Sequence, residues 1–336
     1  MSEQFNVAVI GAQSLIGKSL IELIEQRDFP VDKLFALSSD PSAEDASLFK
    51  NKPLALKDVA DFDFSQVHLA FFCEDSETTL AYAQKAADAG VPVIDGTCAY
   101  VDRLEIPMVI AHLNGDAIAD FRNTNIITSP SSASIQLWTA LKPIADHAGI
   151  TRVNVVNHHS VSSAGEFGIK ELAKQCAKLL NGLQVEDNPY SAQLAFNLLP
   201  TVGTLLDNGM STDEQLIADE AARFMGDDSG FINPTSIMTP VFFGLGQSVS
   251  IETLSPTDPE QVAQLFDQID EIEFDASHQP TQVGDASGSE FTHIGRLRQD
   301  PSHPHGLNLW IVGDNARAGV ALNCLKIAET LIRDYY

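Results

Sequence analysis

Short apolar runs alternate with amphipathic stretches over the N-terminal third of the chain. The amphipathic stretches carry apolar residues at helical spacing, as Ile16, Leu20, Leu23 and Ile24 do in the first of them. Strands that alternate with helices in this way are typical of a parallel sheet covered by helices on both faces. The predicted strands span residues 5–10, 34–37, 67–73, 91–95 and 125–128, and the predicted helices span residues 14–26 and 76–89.

From about residue 151 onward the alternation gives way to more extended segments with fewer helices between them. This pattern predicts a second domain of the α+β class with a mixed or antiparallel sheet. Its predicted strands span residues 152–158, 237–243, 248–254 and 307–312, and helices are predicted near 170–180 and over 316–336.

The two patterns together predict an α/β protein whose N-terminal part is a Rossmann-type doubly wound parallel sheet. We expect this first domain to comprise residues 1–132 together with the C-terminal helix at about 315–336. Residues 133–314 then form the α+β domain. A chain of 336 residues with 44% hydrophobic residues and a mean hydropathy of −0.01 can bury a core in each of two domains.

The charge balance limits the classes of partner. The chain has 20 basic and 46 acidic residues, a net charge of −26, whereas nucleic acids and anionic membranes require a basic face. We therefore expect neither partner, and an anionic ligand needs its own local cluster of donors. The N-terminus lacks the pattern of a secretion signal, and no apolar run is long enough to span a membrane. The four cysteines show no paired spacing, which favours reduced thiols and a cytoplasmic location.

The first strand, turn and helix carry a glycine pattern that is typical of dinucleotide binding. Gly11 ends the strand and Gly17 lies in the helix, where a tight turn and close helix–strand packing need glycine. Ser14 stands where a further glycine would let a pyrophosphate approach, but serine is small and can donate a hydrogen bond. A Rossmann-like fold without a cofactor is the alternative. The predicted cofactor-binding residues are Gly11, Gln13, Ser14, Leu15, Ile16, Ser38 and Asp40.

The loop after the second strand indicates which dinucleotide would bind. An acidic residue there accepts hydrogen bonds from ribose hydroxyls, whereas an arginine pairs with a 2′-phosphate. The loop carries Asp40 and Glu44 and no arginine. NAD is therefore favoured over NADP. Both dinucleotides remain candidates, and a protein that requires no cofactor remains an alternative. No metal is expected, because the adjacent His158 and His159 would face opposite sides of a strand and the pair His303 and His305 lacks a supporting carboxylate.

Eight segments in order along almost the whole chain resemble the aspartate-semialdehyde dehydrogenase family. They are NVAVIGAQSLIG, PVIDGTCAY, ITSPSSASIQL, VSSAGEFGIKEL, AFNLLP, PVFFG, IGRLR and LWIVGDNARAGVALN. The resemblance implies a homodimer whose second domain supplies substrate-binding residues and the subunit interface. It also implies a biosynthetic reaction that makes aspartate semialdehyde from aspartyl phosphate with a nicotinamide cofactor. In that reaction a cysteine thiolate attacks the acyl phosphate, and hydride reduces the resulting thioester.

The chain departs from the family at both residues of this chemistry. The family nucleophile lies in an Asn-Pro-Asn-Cys-like turn before Thr-Ile-Gln, and the matching stretch 129–136 places Ser132 at the nucleophile position and retains Gln136. The family base is the histidine of Pro-Val-x-x-Gly-His, and Leu245 stands at its position. A serine is a weak nucleophile without a neighbouring base, and its ester is a poorer hydride acceptor than a thioester. Loss of a general base typically costs about 10²–10⁴-fold in rate.

Residues that match the family's substrate pocket are altered as well. Met238 replaces an arginine and does not supply a bidentate clamp for a carboxylate. Another family arginine aligns with Val101, and Arg103 is the candidate to substitute for it. His159 replaces a glutamine. The family's Glu-x-x-Lys is matched by Glu220 and Arg223.

Two functions follow from these departures. The first is a pseudoenzyme similar to the Usg-type proteins, with little or no phosphorylating dehydrogenase activity and a retained dimer and NAD or metabolite pocket. The second is an active NAD(P)-dependent semialdehyde dehydrogenase with a rearranged site. A hydrolase built on Ser132 and His159 is disfavoured, because the sequence shows neither an orienting acid nor a nucleophile elbow. Cys98 is expected to be a buried small residue rather than a replacement nucleophile.

Overall fold

The computed structural model describes residues 4–40, 48–186, 188–225 and 232–335. The strands are Phe5–Ile10 (β1), Val31–Ser38 (β2), Leu48–Phe49 (β3), Lys52–Pro53 (β4), Leu56–Asp58 (β5), Leu69–Phe72 (β6), Val93–Asp95 (β7), Ile126–Thr128 (β8), Ile150–His159 (β9), Ile232–Met238 (β10), Leu245–Thr253 (β11), Ile272–Phe274 (β12), Thr292–Gln299 (β13) and Gly306–Gly313 (β14). The α-helices are Leu15–Gln26 (α1), Ser76–Asp88 (α2), Ala111–Asn114 (α3), Ser132–Ala148 (α4), Gly165–Leu180 (α5), Thr212–Met225 (α6), Pro259–Phe266 (α7) and Leu322–Tyr335 (α8). Short 3₁₀ or π turns lie at Phe64–Gln66, Gly115–Asn123, Val161–Ala164, Gln282–Ala286 and Asn315–Ala321.

The chain divides into two compact units. The first comprises Met1–Ser131 and Gly319–Tyr336, and the second comprises Ser132–Ala318.

The first unit is built on a parallel sheet of strand order β5-β2-β1-β6-β7-β8. The chain leaves β1 in one direction and returns through β6 on its other side, so the carboxyl ends of β1 and β6 form a topological switch point. Ligands of open α/β sheets bind at such points. Every residue of β6 is buried, as expected of a strand covered on both faces. The predicted Rossmann-type sheet is confirmed.

The second unit contains a mixed sheet of strand order β10-β9-β11-β14-β13-β12. Strands β9, β11, β14 and β13 pair antiparallel, whereas the outer strands β10 and β12 each pair parallel with their neighbour. The prediction of an α+β part with a mixed sheet is confirmed.

The strand predicted at 237–243 is wrong in position. Strand β10 ends at Met238, and the chain turns through Pro240, which has no N–H to donate to a ladder. Phe242 and Phe243 are partly exposed in this turn, and Gly244 has a φ of +89°. The apolar side chains of this turn therefore produced a pattern that resembles a strand. Strand β11 begins at residue 245 rather than at the predicted 248.

The helices of the second unit also differ from the predictions. Helix α5 begins at Gly165, well before residue 170, and α6 occupies a region that the sequence pattern left without an element. The helix predicted over 316–336 begins as a π-helical turn, and regular helix α8 starts only at Leu322.

Candidate functional site

The glycine turn of the first unit is fixed by close backbone packing. Gly11 has a φ of +83°, and a Cβ built on it would lie 2.5 Å from the backbone nitrogen of Glu74. A Cβ on Gly17 would lie 2.0 Å from the carbonyl oxygen of Gly11. Glycine is therefore required at both positions, which brings the N-terminus of α1 directly against the turn.

The hydroxyl of Ser14 serves the fold in this structure. It accepts a hydrogen bond from the Gly17 N–H (2.9 Å) as the N-cap of α1 and donates to the carbonyl of Cys73 (2.7 Å). Leu15 and Ile16 form the first turn of α1 and are half-buried. Their position at a helix N-terminus suits an anion through backbone N–H groups.

A carboxylate that the sequence analysis missed lies at the carboxyl ends of β2 and β6. Glu74 Oε1 accepts hydrogen bonds from Ser38 Oγ (3.1 Å), Ser39 Oγ (2.7 Å) and Gln13 Nε2 (3.3 Å). Gln13 Nε2 also donates to Ser38 Oγ (2.6 Å). The signal in the sequence was an acidic residue immediately after the most apolar strand, where sites of parallel sheets gather.

Of the two acidic residues predicted to read the ribose, Asp40 is exposed and Glu44 lies outside the described residues. The Asp40 N–H donates to Ser38 Oγ (3.0 Å), so the backbone of this loop belongs to the same hydrogen-bonded group as Glu74.

Two cysteines of the first unit, Cys73 and Cys324, are poor nucleophiles. Cys73 and Cys324 are fully buried, and burial raises the pKa of each thiol far above its usual range, with the nearby Asp95 adding to the effect. Asp95 is itself buried, and burial raises its pKa although Thr97 and Thr128 donate hydrogen bonds to it. The expectation that Cys98 is buried is wrong, because Cys98 is half-buried, and its thiol donates to the Ser129 carbonyl (3.7 Å). The thiols of Cys73 and Cys324 therefore suit packing better than covalent catalysis.

In the second unit, the sequence analysis placed Ser132 at the nucleophile position and Leu245 at the base position. Ser132 opens α4, and the next residue, Ala133, packs in an apolar cluster with Leu245 and Ile217. Leu245 is 1% exposed. Leu245 is therefore a buried hydrocarbon side chain in the same apolar cluster as Ala133, the residue that follows Ser132.

His159 lies beside Leu245 and has an acidic partner. The two residues are opposite each other in the antiparallel β9–β11 pair, so their side chains share a face of the sheet. His159 is buried, and its Nε2 lies 3.0 Å from Asp213 Oδ2. This corrects the expectation that no acid orients this histidine. The partner comes from the first turn of α6, an element that the sequence analysis did not predict.

The electrostatics of this pair favour an ionised carboxylate. Burial would raise the pKa of Asp213, but the charge and hydrogen bond of His159, together with a hydrogen bond from Ser236, lower it below the usual value. The backbone carbonyl of His159 is fixed as well, since it accepts hydrogen bonds from both the N–H and the hydroxyl of Thr239 (2.8 Å each).

Gln136 belongs to a buried chain of amides beneath the start of α4. Its Nε2 donates to Gln247 Oε1 (2.9 Å), and Gln247 Nε2 in turn donates to Asn157 Oδ1 (2.9 Å) and to the Ala133 carbonyl (3.0 Å). A Cβ on Gly313 would lie 2.6 Å from Gln136 Oε1, so a side chain at this position would displace the amide from its present place. The chain of amides fixes the helix turn that presents Ser132.

The remaining predicted pocket residues lie in different surroundings. Met238 is buried in an apolar cluster with Val161, Leu172 and Leu199. Glu220 is buried on α6 and Arg223 is half-buried one turn later. Arg103 lies in the first unit, is exposed and pairs with Glu105 (2.6 Å). The structure gives Arg103 a local partner and Met238 a packing role.

The parts of the chain that the structure describes hold no group of His, Cys, Asp and Glu arranged to bind a metal ion. Within the same residues, no helix has both the length and the apolar character that crossing a membrane requires.

Two family matches span most of the chain. Residues 6–121 match the semialdehyde dehydrogenase NAD binding domain, and residues 141–318 match the semialdehyde dehydrogenase dimerisation domain. The chain is 45% identical over 337 residues to aspartate-semialdehyde dehydrogenase 2 of Vibrio cholerae, with all of both chains covered. It is 38% identical over 336 residues to the USG-1 protein homolog of Pseudomonas aeruginosa, again over the full length of both.

A solved structure agrees with these matches. The crystal structure of aspartate semialdehyde dehydrogenase II complexed with ASA from Vibrio cholerae superposes with a TM-score of 0.96 at 45% sequence identity and covers all of both chains. The chain therefore belongs to the aspartate-semialdehyde dehydrogenase family.

Proposed function

We propose that this protein is a Usg-type paralogue that keeps the family scaffold and has lost the phosphorylating dehydrogenase reaction. The observation that carries the proposal is the apolar cluster of Leu245 with Ala133 and Ile217 at the start of α4. A leucine takes no proton, so the Ser132 hydroxyl has no base at the position where the family holds one. An uncharged serine hydroxyl attacks an acyl phosphate poorly.

The two replacements act on separate steps and therefore compound. Loss of the base costs about 10²–10⁴-fold in the acylation step. The serine ester that would form is a weaker hydride acceptor than a thioester, which slows the redox step independently. Met238 adds a third change, because a buried methionine in an apolar cluster offers no positive charge to an anionic substrate.

The test is phosphate-dependent reduction of NAD⁺ and NADP⁺ with aspartate semialdehyde as substrate. The unaltered protein and Ser132→Ala should both remain at background. The double variant Ser132→Cys with Leu245→His should gain turnover by about 10²-fold or more over background, because it restores nucleophile and base together. The matched single variants should gain far less. Robust activity of the unaltered protein that disappears in Ser132→Ala would refute the proposal.

A second candidate function is an active semialdehyde dehydrogenase with a rearranged site. The buried His159–Asp213 pair favours it, since the imidazole is registered opposite the base position and is held by an ionised carboxylate. Such a pair is suited to take a proton from a hydroxyl. If it does, His159→Ala should lower NAD(P)-linked turnover by about 10²-fold, whereas Leu245→Ala should leave it largely unchanged.

The partners and cofactor are proposed on the family matches. A dimerisation domain over residues 141–318 supports a homodimer, and exposed apolar side chains in the second unit suit a subunit interface. They include Phe167, Leu180, Phe196, Leu198 and Leu205. An NAD binding domain over residues 6–121 supports a nicotinamide cofactor, with NAD favoured. The cytoplasmic location stays a prediction from the sequence.

A further inference from the structure

The carboxylate of Glu74 is held in one place by donors from two separate segments. Gln13 donates from the glycine turn, and Ser38 and Ser39 donate from the carboxyl end of β2. The Ser39 N–H lies within hydrogen-bond distance of both carboxylate oxygens, 3.1 Å from Oε2 and 3.3 Å from Oε1. A side chain bound on so many sides is ordered before any ligand arrives.

These two segments are the ones that flank the adenosine ribose in a dinucleotide-binding fold. The backbone of Glu74 packs against the glycine turn, since a Cβ built on Gly11 would lie only 2.5 Å from the Glu74 backbone nitrogen. From there its side chain crosses the carboxyl end of β1 to reach β2. The backbone of Glu74 thus lies at the switch point of the sheet, and its carboxylate lies between the glycine turn, which faces the pyrophosphate in such folds, and the end of β2, which faces the ribose.

The two carboxylate oxygens differ in what they can still accept. Oε1 takes the side-chain donors of Gln13, Ser38 and Ser39. Among the described residues, Oε2 takes only the backbone N–H of Ser39. An ionised carboxylate has about four lone-pair sites, so Oε2 keeps capacity for further donors. A ribose 2′- and 3′-diol supplies such donors, whereas a 2′-phosphate supplies negative charge and acceptors.

We propose that Glu74 reads the adenosine ribose by accepting hydrogen bonds from its hydroxyls and rejects ligands that carry a 2′-phosphate. The inference rests on the proposed retention of dinucleotide binding and assigns the discrimination to a residue outside the β2 loop. Asp40, to which the sequence pattern assigned this role together with Glu44, is exposed.

The test compares, by calorimetry, the binding of NAD with that of NADP, and the binding of AMP with that of adenosine 2′,5′-bisphosphate, a pair that differs only in the 2′-phosphate. The unaltered protein should bind the unphosphorylated member of each pair at least about tenfold more tightly, the effect of one well-placed charge. Glu74→Gln, which keeps the size of the side chain, should reduce that preference to about threefold or less. Glu77→Gln changes an exposed glutamate of α2 in the same way, is the matched control and should change the preference by less than about twofold. Asp40→Asn tests the alternative that the loop after β2 sets the preference. The preference is also measured in Glu74→Ala. Thermal melting of the variants shows whether a lost preference comes from a folding defect.

Several results would overturn the inference. The first is tighter binding of the 2′-phosphorylated ligand by the unaltered protein. The second is a preference that changes in Asp40→Asn but not in Glu74→Gln. The third is an equal rise in affinity for both ligands of a pair in Glu74→Gln. The inference would also be overturned if none of the four ligands bound at about 5 mM. The double variant Ser132→Cys with Leu245→His measures the chemical step rather than ligand binding, so the proposed loss of catalysis is tested separately.

Discussion

At the scale of single residues, the second unit holds a buried leucine and a buried histidine opposite each other on neighbouring strands. Under the proposed correspondence with the family, Leu245 stands at the position of a histidine and His159 at the position of a glutamine. An imidazole therefore remains on the same face of the sheet but is displaced by one strand. In this place it faces Asp213, and the attraction and hydrogen bond between the two side chains outweigh the cost of burying the carboxylate. The second unit therefore holds an imidazole with an acidic partner directly beside residue 245.

The pH dependence of stability tests this pair. The pKa of Asp213 is lowered in the folded protein from a usual value of 3.8, so its contribution to stability is present above that pH and disappears as the pH falls through the lowered value. We expect Asp213→Asn to reduce the free energy of unfolding by about 1–3 kcal/mol at pH 7. The deficit should shrink as the pH falls below about 3.8.

Urea unfolding at several pH values measures the deficit. The matched control is Asp146→Asn, which removes an exposed carboxylate from a surface pair with Lys142 and should cost at most about 0.5 kcal/mol. A deficit for Asp213→Asn that is independent of pH down to about pH 3 would contradict the assignment of the carboxylate as ionised and stabilising.

At the scale of secondary-structure elements, the amide chain links α4 to the sheet beneath it. Gln247 on β11 is its centre, because it accepts from Gln136 and donates to Asn157 and to the Ala133 carbonyl. Replacing Gln247 with leucine would leave three buried polar groups without this partner. Each unsatisfied buried group costs about 1–3 kcal/mol, although local rearrangement recovers part of it.

We therefore expect Gln247→Leu to lower the free energy of unfolding by about 2–4 kcal/mol, as measured by chemical denaturation. Gln264→Leu changes an exposed glutamine of α7 in the same way and should stay within about 0.5 kcal/mol of the unaltered protein. Equal stability of the two variants would show that the amide chain does not hold α4.

The same scale explains what could be predicted from the sequence. Strands β1 and β6 are buried on both faces and read as continuous apolar runs, so their periodicity located them. Helix α6 was missed because its buried positions include Glu220 beside Ile217, which weakens the apolar pattern. Glu74 and Asp213 were missed for another reason. Their partners lie 35 and 54 residues away in the sequence, and only the fold brings them together.

At the scale of the whole molecule, the net charge of −26 opposes association of two copies. The family match to a dimerisation domain and the exposed apolar side chains of the second unit act in the other direction. The balance depends on salt, because the screening length falls from about 30 Å at 0.01 M to about 8 Å at 0.15 M ionic strength. Apolar burial is not weakened by this change.

The proposed homodimer should therefore tighten as sodium chloride is raised from about 10 mM to about 300 mM, with a dimer dissociation constant that falls by about tenfold or more. Sedimentation velocity at several protein concentrations measures this constant. A neutral osmolyte at matched osmolality, which does not screen charge, is the control and should have a smaller effect. If the dimer dissociated when salt was added, ion pairs would hold the interface, and acidic groups of one copy would have to face basic groups of the other. With only 20 basic residues in each chain, such pairs could cover only a small part of the acidic surface.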